Sequence, residues 1–390
     1  MAQAQPTALT DKAEPYRIRA LKLADFRCYD ALSFTPGAGA VVLTGRNGAG
    51  KTNLLEAVSL LAPGRGFRGA GLPDLARRIG TGGWAIAADI DGARGPMRVG
   101  TGREAEARPG ERRLVRVDGE PQGSATVLGE LLSMLWVTPA MDRLFVEAPS
   151  GRRRFLDRLV LAFDPAHGSR VAAYEKAMRE RSRLLKDGRG DAAWFGALEE
   201  QMAAHGVAIA IARRDVVARL DRAMLEARGE FPAAHLAVEG PVERWLSDMA
   251  AAVDVEDRFI AALADGRRRD GEAGRALVGP HTSDLAVTHL EKEMEASQCS
   301  TGEQKLLLLA LVIAQARLIQ WERGRAPILL LDEVAAHLDE DRRARLFTVL
   351  ADLGGQSFMT GTDEALFEAL GTGADFHTVV TGRVARKDRP

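Results

Sequence analysis

The sequence predicts an α/β fold in which a mixed sheet flanked by helices carries an antiparallel β meander and is interrupted by a compact α-helical lobe. An apolar, β-branched run at residues 41–44 enters a glycine-rich loop that is followed at once by helix-forming residues. A second short apolar run, residues 328–331, ends in two carboxylates, as a buried parallel strand does. Between these two runs, residues 139–274 carry apolar side chains at helical spacing.

Length and composition are those of an ordinary globular protein. The 390 residues correspond to two or three folding units. With 53 Lys and Arg against 54 Asp and Glu, the net charge of −1 neither predicts nor excludes a nucleic-acid partner. Cys28 and Cys299 form no metal-binding pair, which fits the cytoplasm. No apolar run is long enough for a membrane span, and residues 1–15 are interpreted as a flexible tail without a targeting signal.

Residues 16–138 form the first part of the predicted head. Residues 18–23 alternate apolar and polar side chains, as a half-buried strand does, and residues 31–34 are its predicted hairpin partner. The antiparallel meander follows the glycine-rich loop and its helix, which is expected to end near Leu61. Its strands are predicted at residues 84–90, 97–99 and 114–119.

The glycine-rich loop has the form G-x-x-x-x-G-K-T between a strand and a helix, the context that a P-loop requires. Glycines let backbone N–H groups turn toward a triphosphate, the helix N-terminus adds positive partial charge, and Lys51 reaches the outer phosphates. The hydroxyl of Thr52 is then available to Mg²⁺. The predicted phosphate-binding residues are Gly45, Arg46, Asn47, Gly48, Ala49, Gly50, Lys51 and Thr52.

The inserted lobe is predicted at residues 139–274. No stretch sustains a heptad repeat, so the lobe is expected to be compact and not a coiled-coil arm. An arginine-rich segment, residues 267–271, is expected to close it. Its helices are predicted at residues 152–160, 171–186, 192–226 and 245–263.

Residues 299–305 predict a second phosphate-binding helix start. Ser300 or Thr301 can cap a helix, Gly302 lets a phosphate approach closely, and the helix N-terminus points its positive end outward. Because the chain already has one phosphate-binding helix, the second most economically serves the nucleotide of another subunit.

Residues 275–390 return to α/β character and complete the head. Asp332 follows the strand predicted at residues 328–331 and is the expected second Mg²⁺ ligand beside Thr52. Glu333 is expected to orient or deprotonate the attacking water, so Glu333, Asp332 and Lys51 are the predicted catalytic residues. A further strand is predicted at residues 356–360, and residues 377–380 and 383–385 read as a closing hairpin.

Taken in order, four segments resemble the Walker A, signature, Walker B and D-loop motifs of ABC-type ATPases. They are residues 45–52, 300–304, 328–333 and 335–339. Within that superfamily the chain resembles the RecF family of recombination mediators over about residues 16–385. The further similar stretches are residues 23–29, 151–157, 179–186, 279–285 and 360–363.

The resemblance implies a homodimer that closes over two ATP molecules. It places Ser300, Gly302 and Gln304 of one subunit at the nucleotide held by Lys51 of the other, and it gives Asp339 a part in coupling the two sites. Two departures stand out. Thr360 occupies the strand end where many such ATPases carry a switch histidine, and residues 136–141, where the Q-loop is expected, have no glutamine.

The same resemblance implies a clamp on duplex DNA near single-strand gaps, which works with RecO and RecR in loading RecA during replication, recombinational repair and the SOS response. Independently, arginines cluster at residues 65–68, 152–154, 179–183 and 267–269, where they could meet phosphates or simply form solvated helix faces. Arg27 and Arg68 have ATP as an alternative partner. The candidate DNA contacts are Arg152, Arg153, Arg154, Arg179 and Arg183.

The interpretation that these features favour is a weak ATPase that acts as a DNA-binding switch. Three alternatives remain open. A transporter ATPase subunit keeps its signature much closer to the P-loop than Ser300 lies to Lys51. A chromosome-organising ATPase of the SMC or Rad50 type needs long coiled-coil arms, and a fused nuclease needs acidic residues beyond Asp332 and Glu333 for a second metal site.

Overall fold

A computed structural model describes residues 14–107, 113–188, 190–226, 229, 231–249 and 251–387. The tail expected at residues 1–15 lies outside these residues except for Glu14 and Pro15. Packing divides the chain into two units, Met1–Pro139 with Ala316–Pro390, and Ala140–Gln315. The sequence division, which returned to the head at residue 275, differs from this one because the segment after residue 275 pairs with a strand of the lobe.

The described residues form both strands and helices. The strands are β1 (Arg17–Phe26), β2 (Tyr29–Phe34), β3 (Ala40–Thr44), β4 (Trp84–Gly92), β5 (Gly95–Arg103), β6 (Leu114–Val117), β7 (Glu120–Pro121), β8 (Met134–Val137), β9 (Ala234–Glu239), β10 (Asp284–His289), β11 (Met294–Glu295), β12 (Ile328–Leu331), β13 (Ser357–Gly361), β14 (Asp375–Val380) and β15 (Arg383–Arg386). The helices are α1 (Lys51–Ser59), α2 (Val127–Leu131), α3 (Pro149–Leu161), α4 (His167–Asp187), α5 (Ala192–Glu226), α6 (Pro241–Asp248), α7 (Ala252–Ala273), α8 (Thr301–Arg323) and α9 (Glu340–Leu353).

The first unit contains two sheets. One is antiparallel, in the order β2-β1-β4-β5-β6-β7, and includes the predicted meander. The other is mixed, in the order β15-β14-β3-β13-β12-β8, with β15 antiparallel at its edge. Gln356 joins them, because its fully buried amide bonds both backbone groups of Ile18.

The mixed sheet positions the predicted nucleotide residues. Strands β3, β13 and β12 are parallel neighbours, so their carboxyl ends lie at one edge of the sheet. Burial of both faces explains why β12 is apolar throughout. Strand β8, which pairs with β12, was not predicted because four buried residues carry too little pattern.

The second unit contains α3 to α7 around an apolar core that includes Tyr174, Met202 and Phe259. It also contains a three-stranded sheet, in the order β11-β10-β9, which the sequence analysis did not predict. One helix expectation was wrong, because residues 245–263 belong to two helices, α6 and α7. The arginine-rich segment 267–271 lies inside α7, which ends at Gly274 in the left-handed conformation (φ 67°).

Candidate nucleotide site

The P-loop joins β3 to α1, as predicted, and two of its glycines have no room for a side chain. Gly45 has φ 149°, and a Cβ there would lie 2.3 Å from the carbonyl oxygen of Val379. Gly50, the residue before α1, has φ 117°, and its Cβ would lie 2.8 Å from Cys28 Sγ. Glycine is therefore required at both positions.

Lys51 is buried at the first position of α1. Its Nζ donates hydrogen bonds to the carbonyl oxygens of Gly45, at 2.6 Å, and Arg46, at 3.1 Å. Burial lowers the pKa of Lys51, and the nearby carboxylates of Glu333 and Asp332 oppose that shift. The ammonium group is thus held in the mouth of the loop between backbone oxygens and two acids.

Asp332 is nearly inaccessible and accepts two hydroxyl hydrogen bonds. Thr52 Oγ1 lies 3.1 Å and Thr360 Oγ1 lies 2.7 Å from Asp332 Oδ1. Burial raises the pKa of Asp332, while the two hydroxyl donors act in the opposite direction. A hydroxyl and a carboxylate oxygen this close together are the type of ligand that Mg²⁺ takes, so the residues expected to hold the metal fit it.

Glu333 follows directly and has an unusual backbone. Its φ is 54°, in the left-handed region that non-glycine residues rarely occupy. Its N–H donates to Thr360 Oγ1 at 2.9 Å. Thr360 therefore holds both acids, a role that the sequence did not indicate.

A cavity lies between the P-loop and Glu333. Residues of both segments line it, together with Arg68, for which the sequence analysis named ATP as an alternative partner. Arg68 donates to Glu56, as does Arg27, and the Glu56 side chain is fully buried. The cavity is lined by Asn47, Gly48, Gly50, Lys51, Thr52, Asn53, Arg68 and Glu333.

The signature segment begins α8 in the second unit. Ser300 N–H donates to Glu303 Oε2 at 3.0 Å, and Glu303 N–H donates to Ser300 Oγ at 3.4 Å, which is a capping box. Ser300 is exposed and Gly302 partly so. Gln304, expected at the nucleotide, is instead buried, and its amide donates to the carbonyl of Cys299 at 2.8 Å.

Residues 17–380 match the family described as RecF/RecN/SMC N terminal domain. A DNA replication and repair protein RecF from Rhizobium etli is 53% identical over 367 residues, which cover 93% of this chain and 97% of that protein. The chain belongs to the RecF family.

Solved structures support the same assignment of the fold. The chain is similar to a structure of the recombination mediator protein RecF-ATPrS in the RecFOR pathway, with a TM-score of 0.84 and 21% identity, covering 96% of this chain and 99% of that one. An Smc head domain from Pyrococcus furiosus is a more distant neighbour, with a TM-score of 0.53 and 15% identity, covering 96% of each chain. The predicted ABC-type ATPase head is confirmed, and the SMC alternative survives only as a distant likeness in fold.

Asp339, which the resemblance to ABC-type ATPases places in the D-loop, caps α9. Its carboxylate accepts from Arg342 N–H at 2.9 Å and pairs with the Arg342 side chain at 3.2 Å. The side chain remains more than half exposed. Its predicted part in coupling two sites is compatible with this position.

The candidate DNA contacts fall into two classes. Arg152 forms a bidentate ion pair with Asp284, at 2.8 and 2.7 Å, and donates to three backbone carbonyls, so its guanidinium has a structural role in place of a DNA contact. Arg153 is half-buried and donates to Ser283 O. The side chains with exposed positions are Arg154, Arg179 and Arg183.

Two other arginines of the clusters are structural as well. Arg181 is fully buried and donates to Glu199 at 2.9 Å, to Asp270 at 2.6 Å and to the carbonyl of Leu263. Arg267 donates to Glu199 on the same carboxylate. Arg181 and Arg267, from two different arginine clusters, thus belong to a buried ionic core of the second unit.

Among the described residues, no group of three or more His, Cys, Asp or Glu side chains is arranged to hold a metal ion. None of the helices formed by these residues has the length and apolar character needed to cross a membrane.

Proposed function

We propose that the chain is an ATP-dependent DNA-binding protein of replication, recombinational repair and the SOS response, which closes as a homodimer on DNA near single-strand gaps and helps RecO and RecR load RecA. The observation that carries the proposal is that Lys51, Thr52 and Glu333 line one cavity, with Asp332 hydrogen-bonded to Thr52 beside it. A P-loop alone would serve many chemistries, but a buried carboxylate on its threonine and an acid beside it are what ATP hydrolysis needs.

In this proposal the P-loop binds the phosphates of ATP. Lys51 exchanges its bonds to two loop carbonyls for bonds to the outer phosphates. Thr52 and Asp332 would hold Mg²⁺, which neutralises charge on the phosphates. Glu333 orients the attacking water and accepts its proton, and Arg68 adds a positive charge to the lining of the cavity.

The ATPase acts as a slow switch, with ATP closing the dimer and hydrolysis opening it. Ser300 and Gly302 of one subunit meet the nucleotide of the other. Two features support this. Ser300 is exposed at the N-terminus of a long helix, and a Cβ on Gly302 would contact nothing within 4 Å among the described residues. The chain's own packing does not require glycine there, but a phosphate approaching the helix tip would.

The exposed arginines Arg154, Arg179 and Arg183 contribute to DNA binding. Contacts of this kind are made to phosphates, so they give affinity without reading sequence and weaken as salt rises. Arg152 and Arg153 contribute by holding α3 against the start of β10.

Sedimentation of the full chain without nucleotide, with ADP and with ATPγS tests the proposal. We expect a dimer only with ATPγS, and tighter binding of gapped duplex DNA in the same sample. Ser300→Arg should keep ATPγS affinity but remain monomeric, because the bulky cation blocks the partner's nucleotide. Ser169→Arg, at an exposed serine on α4 of the same unit, is the matched control and should still dimerise. A Ser300→Arg dimer as stable as the control would refute the contact between subunits.

A further inference from the structure

Strand β10 has an edge that is only partly paired. Strand β9 covers it over its whole length, from Asp284 to His289. On the other side, β11 pairs only with Thr288 and His289. Among the described residues, no strand pairs with Asp284 to Val287 on the side that faces away from β9, and we call this side the open edge of β10.

The register shows which backbone groups face that side. Leu290 N–H donates to the carbonyl of Ala233, in the same register as the β9–β10 ladder. Hydrogen-bonded pairs alternate in an antiparallel ladder, so Ala286 exchanges bonds with β9 while Leu285 and Val287 point the other way. The N–H of Leu285 is taken by the Asp284 carboxylate at 2.9 Å. The Leu285 carbonyl and both backbone groups of Val287 are directed to the open edge.

A cleft gives access to these groups. It is lined by every residue of β10 from 284 to 288, and its walls include Glu239, Glu295 and Ser297. Consecutive strand residues point to opposite faces of a sheet, so a cleft lined by five of them reaches the backbone edge of the strand. Because Glu239 of β9 also lines it, the cleft extends from that edge over the face that carries Asp284 and Glu239.

The charge of the cleft selects its occupant. Arg152 and Asp284 neutralise each other in their bidentate pair. Glu239 and Glu295, both exposed, remain as the excess charge of the walls. An acidic cleft repels phosphates, so this surface is unsuited to DNA. A second copy of the same edge would bring like carboxylates together, which makes it a poor partner as well.

We propose that the open edge of β10 binds an extended, basic segment of a partner protein as a fourth strand. The ladder to Leu285 and Val287 supplies main-chain hydrogen bonds, and lysine or arginine side chains at alternate positions meet Glu239 and Glu295. Natural edge strands are commonly protected by lysine, proline or a bulge, and the open stretch of β10 contains neither lysine nor proline. This goes beyond the proposed function, because it requires neither ATP nor DNA.

The test uses the full chain and fluorescent peptides of alternating lysine and valine. We expect saturable binding by anisotropy and slower hydrogen exchange of the Val287 amide by NMR. A peptide of alternating glutamate and valine should not bind. A lysine–valine peptide methylated on alternate backbone nitrogens should also fail, because it cannot complete the ladder.

Two double charge reversals distinguish binding in the cleft from non-specific attraction to acidic residues elsewhere. Glu239→Lys with Glu295→Lys should weaken binding of the lysine–valine peptide about tenfold or more, as loss of two complementary charges predicts. Glu291→Lys with Glu293→Lys, on the exposed turn before β11, makes the same charge change outside the cleft and should leave affinity within about twofold. Equal binding of the methylated peptide, equal loss in both double variants, no binding at all, or dimerisation through β10 without peptide would each overturn the proposal.

Discussion

Replacing Thr360 by valine tests how the two acids of the nucleotide site are held. The hydroxyl of Thr360 donates to Asp332 and accepts from the Glu333 N–H, and it is 1% exposed. Valine fills nearly the same space but leaves a buried N–H without this acceptor, at a cost of about 1–3 kcal/mol. The left-handed backbone of Glu333 costs of order 1–3 kcal/mol as well. The lost bond is thus comparable to the strain that it offsets.

Thr360→Val should therefore allow Glu333 to relax out of its position. We expect single-turnover hydrolysis of bound ATP to slow by about ten- to a hundredfold, since each 1.4 kcal/mol corresponds to about tenfold. ATP affinity should change little, because Lys51 and the P-loop are untouched.

Thr360→Ser keeps the hydroxyl and is the matched control, expected to restore most of the rate. In Thr360→Val, loss of the hydroxyl donor should also raise the pKa of Asp332 further. The acid limb of the pH–rate profile should then move to higher pH. If the valine variant hydrolyses ATP at the wild-type rate, or if serine is as slow as valine, Thr360 does not act through its hydroxyl.

Two more predictions concern the second unit. Arg181→Met should lower the free energy of unfolding in urea by about 3–5 kcal/mol, because it leaves buried carboxylates without a cationic partner. Arg183→Met, at an exposed site in the same helix, is the control and should change the free energy of unfolding by less than about 0.5 kcal/mol. Similar values for the two variants would show that Arg181 is not part of an ionic core. The pKa of Glu303 is lowered to about 2, chiefly by its hydrogen bond from Lys292 and then by the Ser300 backbone. Its stabilising contribution is thus present above the ordinary pKa of 4.5 and lost as the pH falls toward 2, and NMR titration of the carboxylate should show Lys292→Met moving the midpoint back up.

The nucleotide site was predictable where its signal is local. The P-loop and the strand before Asp332 are short contiguous patterns, and each needs only its own residues to be recognised. The part played by Thr360 is different. It depends on β13 lying beside β12 in one particular register, a contact between segments that the sequence leaves unspecified. Arg68 likewise faces the cavity because Glu56, in the preceding helix, holds it there.

The arginine clusters also show that contacts between distant segments cannot be predicted from the sequence. Arginines two positions apart in the sequence lie in opposite environments, since Arg181 is buried and Arg183 is exposed. Helical spacing of apolar residues could have suggested this inward face. The partners could not be predicted, because the carboxylate of Asp270 lies 89 residues from Arg181 and that of Asp284 lies 132 residues from Arg152.

The sheet of the second unit was missed for a different reason. Strand β10 alternates buried and half-buried residues over its six positions, so the period-two signal was present. Its partner β9 lies between two segments with helical spacing, so the sequence predicts helices throughout this region. The helix predicted at residues 245–263 also ended too early, because α7 continues through the arginine-rich segment 267–271, and arginine is a good helix former.

At the start of α8, a prediction from the sequence and contacts seen in the structure complement each other. From the sequence, Ser300 and Gly302 predict a helix tip that meets a phosphate. The structure adds that the inward side of the same turn is fixed, because Gln304 bonds the Cys299 carbonyl and buried Lys305 pairs with Asp142 at 3.4 Å. The outward side carries the exposed Ser300 and Thr301 and the small Gly302. In the proposed homodimer, a helix tip that is anchored on one side and exposed on the other loses little conformational freedom when the second subunit presents its nucleotide, which favours a contact that ATP makes and hydrolysis breaks.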